Sequence, residues 1–263
     1  MTNSFAPKAS GARGQFLAIG NLELYYEESG AGNPLLLLHG FGGCTQNWQP
    51  FVEEFAKQYR VINVDFRGHG YSTNPDNTFT HREAANDIFL FLEKLNIDRF
   101  SAMGMSSGGM ILLHMATQQP NRIDAMILLS TTTHFPEQAR AIMRRASFAT
   151  MPSEVRTMYR ECAKRGDEQI EQLISQFNAL SENDDDMNFT EQSLSGIKSR
   201  TLIVHGDRDQ FFPSTVAENL HRSIPGSTLW LVPNGDHSFV FDAAIPFTST
   251  VLRFLSSNKD KKA

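Results

Sequence analysis

The sequence predicts an α/β protein whose mostly parallel sheet is flanked by helices. The chain has 263 residues, 40% of them hydrophobic, which is enough for one sizeable core. Several short, continuous apolar runs have the length expected of strands buried on both faces of a parallel sheet. Helical patterns lie between these runs, and strands that alternate with helices are typical of α/β folds.

The predicted strands follow in chain order. Two alternating runs at 15–18 and 22–26 flank Gly20 and Asn21, which predicts a β-hairpin. After the turn residues 30–33, the apolar run 34–38 predicts the first strand buried on both faces. Similar runs predict strands at residues 59–66, 99–103, 125–130, 200–204 and 228–232. We therefore expect about eight strands.

The clearest helix is predicted to begin near Thr80. The Thr80 hydroxyl and the Glu83 carboxylate fit a capping box, in which both satisfy free backbone N–H groups. Apolar residues then recur at helical spacing, at positions 85, 88, 89, 92 and 95. Further helices are predicted at 107–119, 215–221 and 247–255.

Residues 134–196 interrupt the alternation, because they contain no good strand and are too long for a plain loop. Two apolar stripes, within 155–162 and 170–177, predict helices here, and Pro136 can open another. The acidic run 183–186 is predicted to be a solvated turn rather than a cation site. The chain thus divides into a core (1–133), a helical insertion (134–196) and the rest of the core (197–263).

Composition excludes several classes of protein. The net charge of −5 does not resemble a nucleic-acid-binding footprint, and the basic cluster at 259–262 resembles a solvated end. Residues 1–15 contain no apolar stretch long enough for a signal peptide, and the longest aliphatic run, 35–38, is too short to span a membrane. Cys44 and Cys162 lack metal or redox spacing, so we expect two buried thiols in a reducing compartment. These observations predict a cytoplasmic protein that contacts neither nucleic acid nor membrane.

The stretch from Gly104 to Gly109 places Ser106 in a Gly-x-Ser-x-Gly pattern between a predicted strand and a predicted helix. This pattern alone is weak evidence, but a strand-to-helix turn of this kind exposes a nucleophilic serine above the sheet. The small neighbours allow the backbones to approach closely. A serine hydroxyl also needs a base and an acid that orients the base.

Both partners occur in matching positions. His237 follows the strand at 228–232, and Asp207 and Asp209 follow the strand at 200–204. Active sites of open parallel sheets form at the carboxyl ends of the strands. The glycine-rich stretch 39–43, after the first buried strand, predicts an oxyanion hole built from the N–H groups of Phe41 and Ser107, with Gly42 as the second choice for the first donor.

Five segments together resemble the α/β-hydrolases of the capped esterase, lipase and C–C hydrolase type. These segments are 39–42, 65–72, 104–109, 206–213 and 235–237, and they run in the family's order along nearly the whole chain. The resemblance implies that residues 134–196 are the family's helical cap. It also favours Asp209 over Asp207, because Asp209 follows the glycine by three and precedes the proline by four. It assigns a supporting role to Asp236.

The sequence therefore predicts a serine hydrolase that cleaves small to medium, largely apolar carboxylic esters without a metal or organic cofactor. Met105 departs from the His or aromatic residue common before the nucleophile, and it is a candidate for substrate contact together with His134. In the insertion, further candidates are Met143, Met151, Met158 and Phe177, although helix packing alone explains them. We expect a monomer or a weak homo-oligomer.

Three alternatives stay open at this point. The same residues serve C–C bond hydrolysis of diketone-like compounds. The fold also hosts cofactor-free perhydrolysis, and it hosts ligand receptors that keep a triad but turn over slowly.

Overall fold

Eight strands form a single sheet in the computed structural model, which describes residues 14–242 and 245–257. In chain order the strands are β1 (Gln15–Ile19), β2 (Leu22–Ser29), β3 (Pro34–Leu38), β4 (Arg60–Val64), β5 (Phe100–Met105), β6 (Ile123–Leu129), β7 (Arg200–Gly206) and β8 (Thr228–Val232). Across the sheet their order is β1-β2-β4-β3-β5-β6-β7-β8. The β1–β2 and β2–β4 pairs are antiparallel and all other neighbours are parallel, which confirms the predicted class.

Helices connect and flank the strands. In chain order they are α1 (Gln49–Ala56), α2 (His81–Lys94), α3 (Ser107–Gln118), α4 (Glu137–Arg144), α5 (Ser153–Cys162), α6 (Asp167–Leu180), α7 (Glu191–Ser195), α8 (Ser214–Ser223) and α9 (Phe247–Ser256). The sequence analysis did not predict α1, which is only eight residues long. Its apolar side, formed by Phe51, Val52 and Phe55, packs into the core.

Strand β3 shows why both faces of the sheet are covered. Its four leucines are fully buried, and they alternate between two core layers. Leu35 and Leu37 belong to the layer that α1 and α9 cover, whereas Leu36 and Leu38 belong to the layer that α2, α3 and α8 cover. Each buried leucine contributes about 2 kcal/mol of transfer free energy. Because helices cover both faces of the sheet, functional side chains can reach a substrate only at the ends of its strands.

The start of α2 follows the prediction in part. The Thr80 hydroxyl accepts a hydrogen bond from the Glu83 backbone N–H at 3.1 Å, as expected of an N-cap. The Glu83 carboxylate accepts from the Thr80 hydroxyl at 3.1 Å, instead of from the Thr80 N–H as the predicted capping box required.

Helices α4 to α7 form the insertion between β6 and β7. The predicted apolar stripes of α5 and α6 pack against each other through Tyr159, Ile170 and Leu173. At the base of the insertion, an isolated bridge joins His134 to Asn188, so the outgoing and returning chains lie side by side.

The prediction of a solvated turn at 183–186 is wrong for Asp186. Asp184 and Asp185 are exposed, but Asp186 is only 4% exposed. Its carboxylate accepts hydrogen bonds from the backbone N–H groups of His81 and Arg82, at 2.9 and 3.0 Å. A charge run in the sequence does not reveal that one member reaches a helix N-terminus elsewhere in the chain.

The prediction of two free thiols is also wrong, because Cys44 and Cys162 form a disulfide with a Cα–Cα distance of 5.3 Å. The bond joins the loop after β3 to the end of α5, across 118 residues of sequence. Disulfides persist mainly in oxidising compartments, so the cysteines no longer support a cytoplasmic location, which stays a prediction.

Within the described residues, no helix combines the length and apolar character needed to cross a membrane. The predictions for the first thirteen residues and for the basic cluster at 259–262 lie outside the described residues.

Candidate active site

Ser106 lies on a strained turn between β5 and α3. Its backbone has φ +50° and ψ −116°, a conformation that is costly for a residue with a side chain. The Ser106 N–H donates to the Leu129 carbonyl at 2.8 Å, which ties the turn to the end of β6. The tight turn therefore raises the Ser106 side chain above the carboxyl edge of the sheet, as the sequence pattern predicts.

The glycines around Ser106 are required by close backbone approach. A Cβ atom on Gly104 would lie 2.4 Å from the carbonyl carbon and oxygen of Gly108. A Cβ atom on Gly108 would lie 2.2 Å from the Leu38 carbonyl oxygen. Side chains at these positions would push α3 away from β5 and β3.

His237 and Asp209 converge on Ser106 although they are far apart in the chain. The distance from His237 Nε2 to Ser106 Oγ is 3.1 Å, and the distance from His237 Nδ1 to Asp209 Oδ2 is 2.7 Å. Each residue follows the carboxyl end of a strand, namely β8, β7 or β5. The register places these strand ends in one row, because Met105 pairs with Leu129 across the sheet, and Gly206 pairs with Val232.

The Asp209 side chain is completely buried, and it is held by a small turn. Its second oxygen, Oδ1, accepts from the backbone N–H groups of Phe211 and Phe212 at 2.8 and 2.9 Å. Burial alone raises the pKa of this carboxyl group, but the hydrogen bond from His237, the charge of that imidazole and the Phe212 N–H outweigh it, so the pKa is lowered. Asp209 is therefore ionised near neutral pH.

The two neighbouring aspartates have local roles. Asp207 is exposed, and its backbone N–H donates to the Val232 carbonyl at 3.1 Å. Asp236 is exposed too, and its carboxylate accepts from the Ser238 N–H at 2.8 Å, which stabilises the turn next to His237.

Ser130 is a contact of the site that the sequence analysis missed. Its hydroxyl donates to the His237 carbonyl at 2.8 Å and so fixes the backbone of that residue. Ser130 directly follows the end of β6 and has φ +45°. Its position after a predicted parallel strand could have indicated that it lies near the site.

The loop after β3 passes directly over Ser106. A Cβ atom on Gly40 would lie 3.7 Å from the Ser106 Cβ, and the Gly43 N–H donates to the Gly40 carbonyl at 3.0 Å to close the turn. Within the described residues, no protein atom accepts a hydrogen bond from the N–H of Phe41 or of Ser107. Both residues directly follow residues whose Cβ positions lie close together, Gly40 and Ser106.

Aromatic side chains form one wall of the site. Phe177, on α6 of the insertion, lies between Phe41 and Phe211, with ring centroids 5.1 and 6.1 Å away. Phe211 in turn lies 5.4 Å from the His237 ring. The sequence analysis named Phe177 among the candidates for substrate contact, but it did not identify Phe211.

Three other candidates lie outside this aromatic wall. Met105 is buried in the core layer of α1 and α9, beneath the serine. His134 is exposed at the base of the insertion, where its Nδ1 lies 3.2 Å from the Thr133 hydroxyl. Met143 is fully buried in the other core layer. In the part of the chain that the structure describes, no group of His, Cys, Asp and Glu side chains suits a metal ion.

Comparison with known proteins identifies relatives along most of the chain. The chain is 27% identical to the serine hydrolase BPHL of Homo sapiens over 256 residues, which cover 91% of this chain and 85% of BPHL. It is 28% identical over 275 residues to 2-hydroxymuconate semialdehyde hydrolase of a Pseudomonas species, covering 95% and 96% of the two chains.

Solved structures share the fold. The meta-cleavage product hydrolase CumD of Pseudomonas fluorescens superimposes with a TM-score of 0.80 at 20% identity, covering 93% of this chain and 98% of that one. The enol-lactonase of Burkholderia xenovorans gives a TM-score of 0.77 at 22% identity, with 92% and 100% coverage.

A family model provides the decisive comparison. The model described as alpha/beta hydrolase fold matches residues 33–183, which is more than half of the chain. This segment includes the loop after β3, the strained turn at Ser106 and most of the helical insertion. The match, the sheet order and the shared architecture lead to one conclusion: the chain belongs to the α/β-hydrolase fold family.

Proposed function

We propose that the protein is a serine hydrolase that cleaves small to medium, largely apolar carboxylic esters. The observation that carries this proposal is the chain of hydrogen bonds from Ser106 through His237 to Asp209, with distances of 3.1 and 2.7 Å. A hydroxyl joined in this way to an imidazole and a buried carboxylate is the arrangement that activates serine for attack on a carbonyl.

In the proposed reaction, His237 Nε2 takes the proton of Ser106 Oγ, which attacks the ester carbonyl. Asp209 fixes the proton of His237 on Nδ1 and stabilises the imidazolium that forms. His237 then donates its proton to the leaving alcohol, and an acyl-enzyme remains on Ser106. Water, activated by the same imidazole, releases the acid.

The N–H groups of Phe41 and Ser107 are proposed to bind the negative oxygen of the tetrahedral intermediate. Ser107 is the first residue of α3, so its N–H is among those that a helix leaves free. The positive end of the helix dipole adds to this stabilisation. Donors that are fixed before the reaction contribute most when charge develops on the substrate oxygen.

The apolar substrate is inferred from the aromatic wall formed by Phe41, Phe177 and Phe211. Because Phe177 belongs to α6, we propose that the insertion acts as a cap that covers the substrate. Linings of hydrophobic and aromatic side chains are typical of sites that bury apolar ligands.

Replacing the nucleophile tests the proposal. We expect Ser106→Ala to reduce turnover of p-nitrophenyl butyrate by about 10⁶-fold, because the three residues act as a unit. Ser195→Ala, on an exposed serine of α7, is the matched control and should leave turnover unchanged. Retained turnover in Ser106→Ala, measured on protein freed of contaminating esterases, would refute the assignment.

C–C bond hydrolysis is the second candidate, because specific relatives favour it. One is named 2-hydroxymuconate semialdehyde hydrolase, and another, from Metapseudomonas resinovorans, is named as the hydrolase of a 6-oxo dienoic acid. A panel of esters graded by acyl length, assayed beside a 6-aryl-2-hydroxy-6-oxohexa-2,4-dienoic acid, whose keto tautomer is a vinylogous diketone, separates the candidates. Turnover of this dienoic acid at a higher kcat/KM than any ester would replace the ester proposal with this one.

A further inference from the structure

A second Ser–His–Asp cluster lies beside the first and shares no residue with it. The distance from Ser107 Oγ to His81 Nε2 is 3.0 Å, and the distance from His81 Nδ1 to Asp186 Oδ2 is 2.6 Å. All three residues are buried, and His81 is completely so. They come from the starts of α3 and α2 and from the segment that returns from the insertion.

Asp186 determines how this cluster is protonated. Burial raises the pKa of its carboxyl group, but the His114 imidazole 3.6 Å away, together with the hydrogen bond and the electrostatic attraction of His81, outweighs it, and the pKa is lowered. An ionised carboxylate only accepts hydrogen bonds, so His81 donates from Nδ1. The Ser107 hydroxyl, which can both donate and accept, pairs with His81 Nε2 at the other side of the ring.

The geometry argues against a second nucleophile at Ser107. Ser106 occupies the strained turn, whereas Ser107 lies within the first turn of α3 and is only 4% exposed. Consecutive residues at a helix start point in different directions. One hydroxyl contacts His237 above the sheet edge, and the other contacts His81 on the side of α2.

We propose that His81 and Asp186 are positioning residues that hold Ser107, and through it the backbone N–H that binds the oxyanion. This inference rests on the proposed function. Serine hydroxyls near helix starts readily bond to neighbouring backbone groups, and the bond to His81 prevents this at Ser107. Asp186 anchors His81 through both its side chain and its backbone N–H, so the network is fixed at both ends.

The network also gives the insertion a role beyond covering the substrate. Asp186 belongs to the segment between α6 and α7, whereas Ser107 belongs to the core. The donor N–H next to the nucleophile is therefore supported by a side chain that the insertion contributes.

The test uses Ser107→Ala, which keeps the backbone N–H, and His81→Phe, which keeps an aromatic ring beside Phe79 and Phe135. Loss of a whole oxyanion donor costs about 10²–10³-fold in kcat, so a displaced donor should cost about 10-fold, with KM changed less than twofold. The double variant should be no slower than the slower single variant, because both changes break one bond.

A second readout reports on the oxyanion directly. A butyl trifluoromethyl ketone forms a tetrahedral adduct on the nucleophile, so its Ki should rise by the same factor as kcat falls in both single variants. The matched control is Ser227→Ala, which breaks another serine–histidine bond, 2.9 Å long, between Ser227 beyond α8 and His221 within that helix. It should change neither kcat nor Ki. Thermal unfolding of every variant shows that the fold is intact.

Each other outcome is decisive. Additive losses in the double variant, or a wild-type kcat and Ki in Ser107→Ala, would overturn the positioning role. Labelling of Ser107 rather than Ser106 by a fluorophosphonate would overturn it too. Ser106→Ala, assayed in parallel, distinguishes failure of the proposed function from failure of the positioning role. If it keeps its turnover, the proposed function fails; if it is inactive while Ser107→Ala is normal, only this inference fails.

Discussion

Asp207 and Asp209 lie two residues apart on the same loop, yet only one reaches His237. The Asp209 side chain is completely buried and both of its carboxylate oxygens accept hydrogen bonds, whereas Asp207 is exposed. The turn closed by the N–H groups of Phe211 and Phe212 directs the Asp209 carboxylate inward. Sequence spacing alone left both aspartates as candidates for the acid that orients His237. The family's pattern favoured Asp209, which the structure places beside the imidazole.

We expect Asp209→Asn to reduce kcat by about 10⁴-fold, the size of loss seen when a triad acid becomes an amide. The amide group would donate toward His237 Nδ1, which shifts the imidazole proton to Nε2 and removes the base facing Ser106. Asp207→Asn should remain within twofold of wild type. Steady-state assays on p-nitrophenyl butyrate compare the two variants, and a larger loss in Asp207→Asn would reverse the assignment.

The residues of the second network show the limit of sequence reasoning at this scale. Sequence analysis predicted Ser107 as an oxyanion donor and placed Asp186 in the acidic run 183–186, but it did not single out His81. Their mutual contacts join positions as much as 105 residues apart. No local pattern encodes such a contact, because it depends on how the insertion returns to the core.

At the scale of elements, the sequence predicts those strands and helices that have a clear local pattern of apolar residues. Buried strands such as β3 are continuous apolar runs because both of their faces pack against helices. Helix α1 was missed although its apolar stripe is present, because eight residues give little periodicity to recognise. The disulfide could not be predicted, since it depends on α5 lying above the loop after β3.

That disulfide should stabilise the protein appreciably. Cys44 and Cys162 close a long loop, and in the chain-entropy model a crosslink of this span stabilises the folded state by about 5 kcal/mol. We expect the Cys44→Ser, Cys162→Ser double variant to unfold at a lower denaturant concentration than the oxidised wild type. Dithiothreitol should lower the wild-type midpoint and leave the variant unchanged. Equal midpoints for wild type with and without reductant would contradict the prediction.

At the scale of the whole molecule, buried ionisable groups couple folding to pH with opposite signs. His39 is completely buried and stacks on Phe66 at 4.1 Å, and burial lowers its pKa to about 4. Asp65 is buried beneath the loops that follow β3 and β4, and burial raises its pKa to about 7, against the lowering effect of the Tyr71 and Thr45 N–H groups. Because the two effects oppose each other, the wild-type pH profile alone does not reveal either.

Single variants separate the two contributions. Between pH 7 and pH 4 the unfolded chain protonates His39 and the folded protein resists, so His39 makes the folded state less stable as the pH falls. The loss approaches about 3 kcal/mol at pH 4. Asp65 acts in the opposite direction, because the folded state takes up its proton near pH 7 and the unfolded chain only near pH 4. Free energies of unfolding, measured with urea at both pH values, should therefore fall less on acidification in His39→Asn than in wild type. In Asp65→Asn the free energy of unfolding should fall more than in wild type. A change of the same sign in both variants would contradict the assigned pKa shift of His39 or of Asp65.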